Sequence, residues 1–96
     1  MQTLSLDGIQ ADYDTRRKNA QRLSHNHSGE CFACGRGLTA AAIEKGWMVW
    51  LATTGGLIPM DATNVPENLD QGWFPVGSEC AKRVPLTHRA RPQMEN

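Results

Sequence analysis

Apolar positions in this chain fall into short groups separated by long polar stretches. Ile9, Tyr13, Ala20 and Leu23 recur near one face at helical spacing. Asp7 precedes them with Gln10 three positions on, in the order of a capping box. The pattern predicts a helix over 7–23 after a loose or strand-like start. The apolar stripe is thin, which puts this helix on the surface. Asp12 with Arg16, and Asp14 with Arg17 and Lys18, stand at ion-pair spacings. A polar linker over 24–29 follows. Thr39 is placed to cap a short helix over 40–45 that Gly46 stops. Residues 47–53 form the strongest strand pattern, 54–56 a turn, and 57–60 the returning strand of a hairpin, with Pro59 marking an edge. After a polar loop over 61–72 comes a short third strand over 73–76. Ser78 is placed to cap a last helix over 79–84, which Pro85 stops. Residues 86–96 carry few apolar groups and predict a disordered tail.

Composition changes this picture in one respect. Leu, Ile, Val and Phe supply only 17 of the 96 residues. A chain of this size buries roughly 65% of its unfolded surface, so the core is thin and an additional staple is expected. The expected organisation is an N-terminal helix and linker over 1–29, one folded unit over 30–85, and the tail over 86–96. Ten basic residues balance ten acidic ones, so disorder driven by net charge is not expected. Charge is nevertheless segregated. Arg16, Arg17, Lys18 and Arg22 crowd the first helix; Lys82, Arg83, Arg89 and Arg91 crowd the C-terminal end; residues 46–79 hold no Lys or Arg. No apolar run approaches the ~20 residues of a membrane span. Residues 1–9 lack the basic start and long apolar stretch of an export signal, so a reducing cytoplasm is expected.

The staple is sought in Cys31, Cys34 and Cys80. An odd count suits no disulfide framework, and in a reducing compartment closely spaced thiols are more often metal ligands or redox centres. Structural Zn2+ takes four tetrahedral ligands of thiolate or imidazole type. A C-x2-C pair brings two sulfurs to one point across a tight turn, and Gly35 directly after it permits that turn. Cys80 falls in the first turn of the predicted last helix, where free amides favour a thiolate.

The order of knuckle, hairpin and helix bearing a ligand in its first turn resembles a treble-clef zinc finger. The residues that carry the likeness are Cys31-Phe32-Ala33-Cys34-Gly35 and Val76-Gly77-Ser78-Glu79-Cys80-Ala81-Lys82-Arg83. Many small phage and mobile-element proteins have a similar C-x-x-C-G-R and G-x-x-C-A-K. The resemblance covers about residues 31–84 and implies an α+β, zinc-stabilised, treble-clef-like domain: a knuckle, a short hairpin or three-stranded sheet, and a short C-terminal helix. In that family the fourth ligand usually stands one helical turn after the third. Here those positions are Arg83 and Val84, which cannot serve. His27, four residues before Cys31, is the first choice for the fourth ligand. His88 is the rival: a helix to residue 84 carries the chain ~6 Å away and four extended residues return at most ~13 Å. His25 reaches less easily.

Other readings of the same residues stand beside these. A thioredoxin-like redox pair would open a helix, which Gly35 and Gly37 oppose. Cys80 alone is compatible with a small buried apolar residue. Trp47, Trp50, Trp73 and Phe74 suit either a binding platform or, with so few aliphatics, the core itself. Trp47 and Trp50 lie on opposite faces of a strand, so one of them is a candidate for exposure. Arg16, Arg17, Lys18 and Arg22 suit either phosphate contacts or a solvated helix face. A zinc deaminase signature is not met, because residues 27–30 run H-x-x-E and abut the cysteines. A thiol protease is the remaining catalytic option and has little chain for a cleft. The expected function is a non-catalytic zinc module whose partner is nucleic acid, or else a protein, with no membrane role.

Overall fold

The computed structural model describes residues 2–24 and 26–92. In chain order its elements are α1 (Tyr13–Ala20), β1 (Gly29–Glu30), β2 (Gly37–Leu38), α2 (Ala40–Lys45), β3 (Trp47–Ala52), β4 (Asp70–Val76) and α3 (Ser78–Ala81), with a 3-10 turn at Leu86–His88. It is an α+β arrangement of two small antiparallel sheets, β1–β2 and β3–β4, with short helices around them.

The helix over 7–23 forms only as α1. Gly8 takes a left-handed φ of +78° that breaks any helix through it, and residues 6–10 turn instead. Asp12, not Asp7, caps α1 by accepting from the Thr15 amide at 2.7 Å. That use of its carboxylate displaces the expected pairing with Arg16. Among the described residues the ion pair is Lys82–Glu79, 3.2 Å and solvent-exposed. α2 matches its expected bounds, with the Thr39 hydroxyl accepting from the Ala42 amide at 3.1 Å. α3 is shorter than expected and starts one residue earlier; Gly77 is its N-cap and no side chain caps it.

The main sheet differs in its pairing. The chain does return after the turn: the Ile58 amide donates to Trp50 O at 2.7 Å and Leu57 bridges Leu51. The pairing goes no further because Pro59 has no amide to donate. The full-length partner of β3 is β4, with Trp47 opposite Val76 and Trp50 opposite Trp73, and a bulge at Gln71. Leu4 pairs with Leu57 beyond the return segment.

Of the expected tail over 86–96, residues 86–92 are described, and they pack against the rest of the chain. Ala90 exchanges two backbone hydrogen bonds with Met48, 2.7 and 3.0 Å. The Arg89 and Arg91 guanidinium groups lie 4.2 and 4.0 Å from the centre of the Trp47 ring. Nη1 of Arg91 also donates to Lys45 O and Gly46 O at the end of α2. Cation–π contact and carbonyl capping supply what the segment lacks in apolar side chains. Residues 93–96 lie outside the described residues.

The core forms where the inner face of the main sheet meets the knuckle. Val49, Leu51, Leu57 and Val76 pack with Ile9, Cys31, Ala33, Cys80, Ala81 and Val84. Leu57 is fully buried. Its truncation leaves a cavity in a core with few other aliphatics. Leu57→Ala should therefore cost roughly 2–5 kcal/mol, which in a domain this small lowers the melting temperature by more than ~10 °C. Calorimetry or thermal circular dichroism reads that shift.

Candidate metal centre

Cys31 and Cys34 sit in the turn between β1 and β2, and Cys80 in α3. Gly35 makes the turn possible in two ways. Its φ is +81°, and a Cβ there would lie 2.6 Å from the Arg16 carbonyl oxygen. The Gly35 amide donates to Cys31 O and the Cys31 amide to Arg36 O, at 2.8 and 2.7 Å. Three carbonyls of the turn are then satisfied by the N-terminal segment. Gln10 Nε2 donates to Phe32 O (3.2 Å), the Ala11 amide to Ala33 O (2.7 Å), and Asn19 Nδ2 to Cys34 O (2.7 Å). The Phe32 amide donates to Pro75 O at 2.8 Å, tying the turn to β4.

The three Sγ atoms lie within 4.8 Å of one another. Tetrahedral zinc with bonds of ~2.3 Å holds sulfurs about 3.8 Å apart, so a small contraction closes the set around an ion. The Gly77 amide donates to Cys31 Sγ at 3.2 Å. Burial is the largest single influence on Cys31 and pushes its thiol up. The amides of Gly77, Cys34 and Ala33, with the Cys34 thiol, together outweigh it and hold Cys31 below the ordinary thiol value. Burial, then the Cys31 thiolate, push Cys80 up to about 12. Cys31 is thus the more readily ionised of the two, while Cys80 holds its proton, and a cation must expel that proton to bind.

The expected fourth ligand is not among these atoms. His27 lies against Gly37, and its Nδ1 accepts from the Ser24 amide at 3.1 Å. His27 is thereby engaged with Ser24 and is not among the side chains whose ligand atoms cluster with the thiols. His88 shares a 2.8 Å hydrogen bond with the Thr87 hydroxyl and lines a separate cleft with Gln2 and Pro59. His25 lies outside the described residues. Arg83, at the usual fourth position, has Nη2 3.8 Å from Cys80 Sγ, and its Nη1 reaches toward Ile9 O at 3.4 Å.

The basic residues of α1 divide. Arg16 is half-buried, its Nε donating to Ala11 O at 2.9 Å, whereas Arg17, Lys18 and Arg22 are exposed. The aromatic residues divide too. Phe74 packs on the core and on Phe32, ring centres 5.9 Å apart. Trp47 is covered by the two arginines. The exposed indole is Trp73, not Trp47 or Trp50; it is 45% exposed and stacks on Trp50 at 5.2 Å. Those two are cross-strand partners whose backbones do not bond to each other, since Trp50 O faces Ile58; such pairs stand closest.

The chain matches none of the protein-family models, curated proteins or solved structures with which it was compared.

Two measurements test the centre. Protein purified without added metal should carry close to one equivalent per chain, and Cys34→Ser or Cys80→Ser should lose most of it. Metal affinity should fall about tenfold per pH unit for each proton displaced. Chelator competition at pH 7.5 and 6.5 should therefore show at least that loss, with weaker binding at the lower pH; equal affinity at both would mean no thiol proton is released.

Proposed function

We propose that the chain is a small zinc-binding module of treble-clef type that binds nucleic acid and catalyses no reaction. The observation that carries the zinc reading is the convergence of Cys31, Cys34 and Cys80, three soft donors from a tight turn and a helix start, with sulfurs close to tetrahedral spacing. Element order supports the treble-clef assignment: the turn of β1–β2, the β3–β4 pair, then α3 with its cysteine. Zinc held there would cross-link segments 46 residues apart, and structural zinc contributes on the order of 10 kcal/mol to folding. Among the described residues the charged side chain within hydrogen-bond reach of a thiol is Arg83, 3.8 Å from Cys80 Sγ, and arginine does not take a proton from a thiol at neutral pH, so the reading includes no base-assisted step.

Nucleic-acid binding rests on Arg17, Lys18 and Arg22, exposed on and just beyond α1, with Arg16 positioning the helix start. Placement as a cytoplasmic accessory or regulatory protein of a phage or mobile element rests on the likeness of C-x-x-C-G-R and G-x-x-C-A-K alone. No helix among the described residues is long and apolar enough to cross a membrane. A second reading, a protein-interaction module, is favoured by one feature: an apolar groove of about 310 Å3 on the outer sheet face, lined by Met48, Trp73, Ala90, Arg91 and Pro92.

Fluorescence anisotropy with duplex and single-stranded DNA and RNA separates the two. Three phosphate contacts predict a log–log salt slope near −2.7 on duplex DNA. Arg17→Glu combined with Lys18→Glu should weaken binding roughly tenfold or more without moving the melting temperature, because both side chains are exposed. No binding at low salt overturns the nucleic-acid reading and leaves the groove as the working surface.

A further inference from the structure

We infer that the metal centre keeps one coordination position for a small monodentate anion supplied from outside the chain. This rests on the metal reading above. A cleft of about 510 Å3 lies directly against the three cysteines, and Thr15, Asn19, Arg36 and Arg83 are among its walls. The three sulfurs belong to one group with no fourth His, Cys, Asp or Glu donor among the described residues. Glu79 also lines the cleft, but its carboxylate pairs with Lys82 and points to solvent.

Charge decides what enters. A divalent ion on three thiolates carries one net negative charge. Arg36 and Arg83 both line the same cleft and carry positive charge, and Arg83 Nη2 lies 3.8 Å from Cys80 Sγ. A monoanion entering the fourth position therefore meets positive charge at the mouth of the cleft, which a neutral donor does not exploit. Arginine supplies planar, multiply donating contacts to an anion at no cost in protonation. The geometry thus combines an available metal position with a second shell suited to a carboxylate-like or azide-like ligand.

Cobalt substitution tests this with the full-length protein. Co2+ should give an intense thiolate-to-cobalt charge-transfer band. Titrated azide should then shift the visible d–d bands saturably while the charge-transfer band persists; imidazole should act more weakly. Arg36→Gln and Arg83→Gln remove charged partners. Each should weaken azide binding by about tenfold while Co2+ affinity stays within a few-fold. Arg36 is exposed, so its variant keeps the test alive should Arg83→Gln disturb the fold. Absence of any charge-transfer band overturns the metal reading itself. A normal band with d–d transitions unmoved by azide overturns only the anion position. So does a d–d spectrum changed by His25→Ala, His27→Ala or His88→Ala, since a side chain of the protein would then be filling it.

Discussion

Everything in this molecule turns on bringing three sulfurs together from two distant parts of a chain with little else to hold it. Cys31 and Cys80 are buried, and charge on both without a cation is unfavourable in such a place. The strong rise at Cys80 is the expression of that conflict in the metal-free site. A divalent ion held by the three thiols would reverse its sign, turning mutual repulsion into a shared attraction that fixes the turn against α3. The aliphatic core alone is small: a handful of buried Val, Leu and Ile side chains, with cysteine and alanine filling the space between them.

The N-terminal segment belongs to the same device. A tight turn that points its amides at sulfur leaves its carbonyls facing the other way. Gln10, Ala11 and Asn19 meet three consecutive carbonyls of that turn. The close pass of Arg16 O over Gly35 shows how near α1 must come to do so. α1 is therefore held by backbone and amide hydrogen bonds more than by an apolar face, consistent with its weak stripe of hydrophobic positions.

What was legible in the sequence was local. The pair Cys31 and Cys34 with Gly35, the Thr39 cap with Gly46, and Cys80 in a first helical turn all follow from short-range spacings within a single turn or short helix, where propensity and turn chemistry act directly. Much of the rest depended on contacts across the chain. Gly8 and the Gln10–Phe32 bond broke the long N-terminal helix. Arg89 and Arg91 found Trp47, so a polar segment with no apolar pattern packs against the rest of the chain. His27 looked near Cys31 in sequence, but its own turn gave its ring nitrogen a different partner. Arg36 and Arg83 were visible as residues; their convergence on one cleft required the fold.

The pairing of Ala90 with Met48 has a consequence for how the protein behaves among other proteins. β3 lies inside the sheet only because two pieces of the same chain, residues 56–58 and 90, cover the side that β4 does not. On the far side of β4, Pro75 offers no amide, and its carbonyl is taken by Phe32. The β3 margin is thereby covered, and the β4 margin is blunted at Pro75, against strand addition by a stranger. A ribbon of two strands, ordinarily prone to recruiting a third from a neighbour, is completed here from within, and its carboxyl-terminal residues stand where an intruding polypeptide would otherwise bind.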